Sequence, residues 1–587
     1  MAADPEQGTA APSAPPHIVL IMTDQHRADL SVRSGFPVDT TPFLDELARR
    51  GTDFQRGYTS SPLCVPARVS LLTGRFPSAH GVTQNSTPGS ARYDRDLLDV
   101  LGDAGYHRIF AGKPHMHRGS DDFDAYRGPY WHTGGPQHTP GHEAFDRWLD
   151  ELDHGVAHEP TPFPLEDSLP YRIVSDAIEA ITEAASMPTD GNVGNPAGTP
   201  SGSPAGHPAG SSTTRAAAVQ PTFLWVSFPE PHNPYQVPEP YFSMWDTDEI
   251  PDRLHGPDVA AAKGGHWAWL RELTEAKRPG YDDERARYRA NYCGQLRLLD
   301  DQVRRLMEHV WATLGDDVLV VMVSDHGDYV AEYGLQRKGA GMPEVLMRIP
   351  FFLSGGPVAA RIRPELVSIV DLLPTLAELV GAPIPDGVTG RSLAPLLLDG
   401  GRTSREFDDV YAERGFGGLT YGAHDRPPLH FAYAGRTFDE LNTVTQSGRS
   451  RMLRRGDLKL VVHSDGSGEL YDLAADPTEV HDLFDDPDHA ADRADLLWRL
   501  TQWMLRAQDE LPTGAYTAGR APHNWVFDAG GGNPPTSTTP DGGTTPDHGT
   551  PRDGETLPAN ANANANANAN AADAADAADG TARTHQR

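Results

Sequence analysis

Cysteine is nearly missing from this chain: two of 587 residues, Cys64 and Cys293. A secreted protein of this size held together by disulfides carries more, so a bridge-dependent scaffold is excluded. Positive charge is also short, with 50 Lys and Arg against 82 Asp and Glu and a formal net charge of −32. A field of that sign repels polyanions, which argues against nucleic acid and anionic membranes as partners. Any anionic substrate must then be held by a local group of cations or by a metal. Long apolar runs are lacking too, and residues 1–16 (MAADPEQGTAAPSAPP) show neither a basic n-region nor an apolar h-region. No membrane span and no signal peptide is expected, and the reading is a soluble cytoplasmic protein.

What is there is long enough for two structured domains plus unstructured segments. Residues 1–16 read as a disordered leader. From His17 short apolar runs alternate with helical patterns. HIVLIM (17–22), HRIFAG (107–112), FLWVSF (223–228) and VLVVMVS (318–324) are buried-strand candidates. TPFLDELARRG (41–51), the run from Leu97 to Leu101, YRIVSDAIEAITEAA (171–185) and about 282–314 have helical spacing. This alternation predicts an α/β fold: a large, mostly parallel sheet flanked by helices on both faces, spanning 17–404. A Gly/Pro/Ser/Thr tract over 187–220 reads as a flexible insertion. Beyond 405 the signals change to short strands (DDVYAE, RMLRRGDLKLVVH, GELYDL) and a last helix. They predict a smaller C-terminal domain, 405–525, of an antiparallel sheet plus helix. The tail 526–587, with Asn-Ala and Ala-Ala-Asp repeats, reads as disordered.

Polar residues stand where the predicted strands stop. Asp24, Lys113, His232 and Asp325 each follow a strand closely, and in open α/β sheets sites form outside the carboxyl ends of strands. Taken singly, an Asp there is more often a helix cap or turn residue, and a Lys beside a His a solvated pair. Cys293 falls inside a helical pattern and reads as a small buried apolar residue.

The segment Cys64-Val65-Pro66-Ala67-Arg68, continued by Leu71-Leu72-Thr73-Gly74-Arg75, matches C-x-P-x-R. It resembles the sulfatase family, formylglycine-dependent members of the alkaline-phosphatase superfamily, and the resemblance runs in order over roughly 17–515. It implies that Cys64 is converted to 3-oxoalanine (formylglycine) by a formylglycine-generating maturation enzyme. The hydrated aldehyde offers two hydroxyls on one carbon: one attacks sulfur and expels the alcohol, and the other then drives out sulfate by C–O cleavage. The resemblance also implies one divalent cation, held by Asp24, Gln25, residue 64, Asp325 and His326. Gly112-Lys113-Pro114-His115 matches the family's G-K-x-H element, which implies that Lys113 contacts the sulfate and His115 assists its release. His232, in Pro231-His232-Asn233-Pro234, corresponds to a histidine that protonates the leaving alcohol. Lys338 completes the anion pocket with Arg68.

Many sulfatases carry two consecutive aspartates and Asp-Asn where this chain has Asp24-Gln25 and Asp325-His326. The sequence is therefore closer to the choline sulfatase and phosphonate monoester hydrolase branch. Calcium is the family's usual ion, and the imidazole admits manganese or zinc. The expected substrate is a small-molecule sulfate ester. The competing readings are a phosphonate monoester or phosphodiester hydrolase with the same site, and a non-catalytic binding protein. Cys64 argues against a phosphoglycerate-mutase-like relative, which would use Ser or Thr.

Overall fold

The computed structural model describes residues 15–187, 220–398, 405–418, 420, 430–433, 436–439 and 447–508. Most of the expected leader and of the 187–220 insertion, and all of the expected tail, lie outside them. The apolar runs form the strands of one eight-stranded sheet: β1 (His17–Thr23), β2 (Thr52–Tyr58), β3 (His107–Gly112), β4 (Ala125–Arg127), β5 (Thr222–Ser227), β6 (Val318–Ser324), β7 (Phe351–Ser354) and β8 (Arg361–Ser368). Their order is β4-β3-β5-β1-β6-β7-β2-β8. β7 pairs antiparallel with both β6 and β2, whereas the other pairings are parallel. The sheet is therefore mixed but mostly parallel, as the alternation of elements predicts.

β1 shows why both faces need cover. Its Ile18, Leu20 and Met22 point into one core with Leu71, Leu72, Leu372 and Leu376. Val19 and Ile21 point into the other with Phe43, Leu47, Ile173 and Leu306. The helices Cys64–Thr73 and Leu372–Leu379 thus lie on one face, and Pro42–Arg50, Leu169–Ser186 and the 30-residue Arg285–Leu314 on the other. Each fully buried aliphatic side chain contributes about 1.5–3 kcal/mol, which makes a two-sided strand the anchor of the fold. Local signals set the helix ends. Pro42 starts the first helix and Gly51 follows it, while Asp96 caps the helix Leu97–Asp103 by accepting from the amides of Leu98 and Asp99.

The C-terminal strands β9 (Asp409–Gly417), β12 (Gly448–Arg455), β13 (Leu458–His463) and β14 (Gly468–Asp472) make an antiparallel sheet in the order β14-β13-β12-β9, and β10 (His430–Tyr433) pairs with β11 (Arg436–Asp439). The helix Ala490–Ala507 covers one face of the four-stranded sheet, with Leu496, Leu500 and Trp503 against Tyr411, Leu453, Leu460 and Leu470. The other face buries Val410, Ala412, Met452 and Val461 against Tyr58, Met342, Met347 and Leu366. Among the described residues, no helix is long and apolar enough to cross a membrane.

Candidate active site and metal centre

The sheet order assembles the site. β3, β5, β1 and β6 are neighbours running the same way, so the residues after their last positions meet at one edge. That edge receives Lys113 from β3, His232 from the turn after β5, Asp24 from β1, and Asp325 and His326 from β6. Cys64 opens the helix Cys64–Thr73, all ten residues of which are buried. Lys338 arrives on a tightly wound segment in which Val330, Ala331, Tyr333 and Arg337 have φ of 45°, 70°, 58° and 62°.

One ligand atom from each of Asp24, Cys64, Asp325 and His326 lies within 4.8 Å of all the others, and all four side chains are buried. The Cys64 Sγ is 3.6 Å from Asp24 Oδ1 and 3.3 Å from His326 Nε2. His326 Nδ1 faces the Gly327 carbonyl at 2.8 Å, so it carries the proton and the Nε2 lone pair is left facing the group. The cations stand behind the carboxylates. Lys113 Nζ is 2.5 Å from Asp24 Oδ2, and Arg68 reaches Asp24 Oδ2 at 3.3 Å and Asp325 Oδ2 at 3.0 Å. Arg68 is fixed in turn by Ser227 Oγ at 2.7 Å and the Lys113 carbonyl at 3.1 Å. Two carboxylates, a neutral imidazole nitrogen and the group on residue 64 make a donor set that suits a divalent cation.

Burial and charge compete here. Burial opposes ionisation of Asp24, yet Lys113, His232, Arg68 and Lys338 together outweigh it and hold its carboxyl well below the usual range. Burial, reinforced by the Asp24 carboxylate, pushes the Cys64 thiol up to about 12. His115 and His232 are pulled well below the ordinary imidazole value, first by burial, then by cations or a neighbouring imidazole.

Gln25 is held at every polar atom. Its φ is 66°, its N–H donates to Asp325 Oδ1 at 3.2 Å, and its carbonyl accepts from Tyr292 Oη. The amide orientation that satisfies its neighbours donates to Asp328 Oδ2 at 2.6 Å and accepts from His232 Nε2 at 2.9 Å and Lys338 Nζ at 2.8 Å. Asp328 is itself anchored by Tyr235 Oη at 2.9 Å, Tyr288 Oη at 2.7 Å and the amides of Val330 and Arg337. Gln25 thus ties the carboxylate group to the lysine and histidine side of the cleft.

The His232 ring stacks on His132 with centroids 4.6 Å apart, and His154 lies 4.8 Å beyond. His115 meets Trp131 edge to face at 5.5 Å. The structure therefore brings together every residue singled out from the sequence for the site. Sequence reasoning missed Ser227, Asp328, the tyrosines and the two further histidines. Asp328 follows His326 by two residues and Tyr235 directly follows Pro234, so those two had a signal. Three polar side chains close in sequence to Asp24 and His115 are paired with other groups: His117 with Asp96, Arg27 with Asp29, and His26 with Thr23.

Comparison with known proteins adds to this geometry. A family model described as "Sulfatase" matches residues 16–382, more than half of the chain. The arylsulfatase of Clostridium perfringens is 24% identical over 535 residues, covering 84% of this chain and 95% of that protein. The multifunctional alkaline phosphatase superfamily protein PehA of Trinickia caryophylli is 26% identical over 558 residues, covering 85% and 96%. Among solved structures, the phosphonate monoester hydrolase of Agrobacterium radiobacter aligns with a TM-score of 0.64 at 22% identity, covering 84% of this chain and 96% of that one. At that identity the likeness is one of fold.

Proposed function

This chain belongs to the sulfatase family of hydrolases, and from there we propose that it cleaves sulfate monoesters with formylglycine at position 64 and one divalent cation. The observation that carries this reading is the meeting of Cys64, inside C-x-P-x-R, with Asp24, Asp325 and His326 at the buried start of a helix. Asp24, Gln25, residue 64, Asp325 and His326 would hold the cation, calcium first and manganese or zinc as alternatives. When bound, the cation supplies Lewis-acid stabilisation of ester oxygen and acidifies the hydroxyl at residue 64. The aldehyde hydrate supplies a nucleophilic oxygen for sulfur and a second oxygen for releasing sulfate.

The chain's own groups do the rest. Lys113, Lys338 and Arg68 supply positive charge where the sulfate oxygens gather it, inside a protein that is otherwise strongly acidic. His232 lies on the leaving-group side, beside Gln25 and Lys338, and delivers a proton to the departing alkoxide. His115 takes the proton from the remaining hydroxyl of residue 64 as sulfate departs. A maturation enzyme that oxidises Cys64 is the partner this chemistry requires.

Mass spectrometry of the tryptic peptide containing residue 64 tests the reading. Active enzyme is expected to carry the aldehyde and to lose turnover on chelation, with recovery when the cation is returned. Full activity with an intact thiol would sink it. A second reading, hydrolysis of phosphonate monoesters or phosphodiesters, is favoured by Gln25 and His326, where many sulfatases have carboxylate and amide groups. The ratio of kcat/KM for an aryl sulfate and an aryl phosphonate monoester decides between the two.

A further inference from the structure

At the far end of the helix that begins at Cys64, a cavity of about 840 Å³ opens between the loop 75–93 and the strands β9 and β12. Arg75, Arg92, Arg449 and Arg451 line it, and Glu413 is the only carboxylate among the described lining residues. That carboxylate is already engaged. It accepts from the Ser78 amide at 2.8 Å, Ser78 Oγ at 2.6 Å and Tyr411 Oη at 2.9 Å, with Arg451 at 3.7 Å. Among the described residues, neither Arg92 nor Arg449 has a carboxylate partner, although the chain carries 32 more negative than positive charges.

The two guanidinium groups rest on backbone that leaves room for them. A Cβ at Gly81 (φ 82°) would meet Arg92 Nε and Nη2 at 3.0 Å, and one at Gly417 (φ 88°) would meet Arg449 Nε at 3.2 Å. Glycine therefore serves twice, for the left-handed turn and for the cation laid across it. The four cations also come from two walls: Arg75 and Arg92 from the loop after the Cys64 helix, Arg449 and Arg451 from the antiparallel sheet. A guanidinium fork matches sulfate, phosphate and carboxylate with paired hydrogen bonds.

We propose that this cavity is a second anion site, separate from the catalytic group, that takes a small ligand bearing two or more oxyanions. Such a ligand would bridge the two walls. Arg75 stands two residues past the end of a ten-residue helix, so the site lies roughly 15 Å from residue 64, too far for one sulfate group to serve both. The inference does not depend on the chemistry proposed for Cys64.

Equilibrium dialysis of the full chain with inorganic sulfate and with pyrophosphate tests it. The wild type is expected to bind pyrophosphate at this site about tenfold more tightly than sulfate, because two oxyanions can engage both walls. Arg92→Gln/Arg449→Gln is expected to weaken that site by about tenfold or more. Both side chains are exposed, so its unfolding temperature without anion and its turnover of a small ester should match the wild type. A Lys113→Ala/Lys338→Ala chain should keep this site and lose only anion binding at the catalytic group. Unchanged pyrophosphate binding in the arginine variant, or wild-type binding that vanishes entirely with the lysine variant, would overturn the proposal.

Discussion

Two of the dense groups of buried ionisable side chains, one around Glu344 and one around Asp24, are built on opposite rules. Around Glu344 the charges alternate. Lys459 Nζ lies 2.9 Å from Glu344 Oε1 and 2.8 Å from Glu479 Oε1, Arg454 Nη1 is 2.9 Å from Glu344 Oε2, and Tyr58 donates to the same oxygen at 2.7 Å. Every charge there has an opposite beside it, and the group ties β12 and β13 to β2 across the seam between the two sheets. Around Asp24, acceptors face acceptors: two carboxylates, a thiol and an imidazole turn inward, and the cations stand at the back. Alternation closes a structure. Convergence of like groups leaves a place for a cation.

The largest expected contrast comes from breaking each group in turn. Cys64→Ala should lower kcat/KM for an aryl sulfate by roughly three orders of magnitude or more, while urea unfolding shifts by only about 1 kcal/mol. If that variant lost stability and activity together, the two groups would not differ in kind. Lys459→Met should do the reverse, costing about 3–5 kcal/mol in urea unfolding because two buried carboxylates lose their shared partner. Its folded fraction should turn over substrate normally. Asp328→Asn gives a smaller and sharper effect. Removing the acceptor that fixes the Gln25 amide should weaken cation binding by about 10–100-fold. The loss should disappear in a Gln25→Ala background, where there is no amide left to orient. Equal losses in both backgrounds would assign Asp328 a role apart from Gln25.

The strand ends were legible because apolar runs such as VLVVMVS stop abruptly at Asp325, and parallel packing makes such stops coincide in space. Cys64 was legible through its neighbours Pro66 and Arg68. The tyrosine frame was not, since Tyr288 and Tyr292 reach the site only through the register of a 30-residue helix that reads as ordinary amphipathic surface. His132 and His154 come from irregular segments that carry no periodicity. The reversal of β7 was hidden for a similar reason: four buried apolar residues look alike in either direction. The arginine cavity joins residues some 370 positions apart, on a loop and on the antiparallel sheet, a meeting that composition works against rather than announces.

The seal over residue 64 sets a deadline. Its side chain is 1% exposed at the first turn of a helix with no open face, so no visiting enzyme can wrap an active site around it once the chain has closed. The oxidation proposed for that carbon would have to happen while the CVPAR stretch is still a loose ribbon. On that proposal, a molecule that folds before it is visited keeps its sulfur for life.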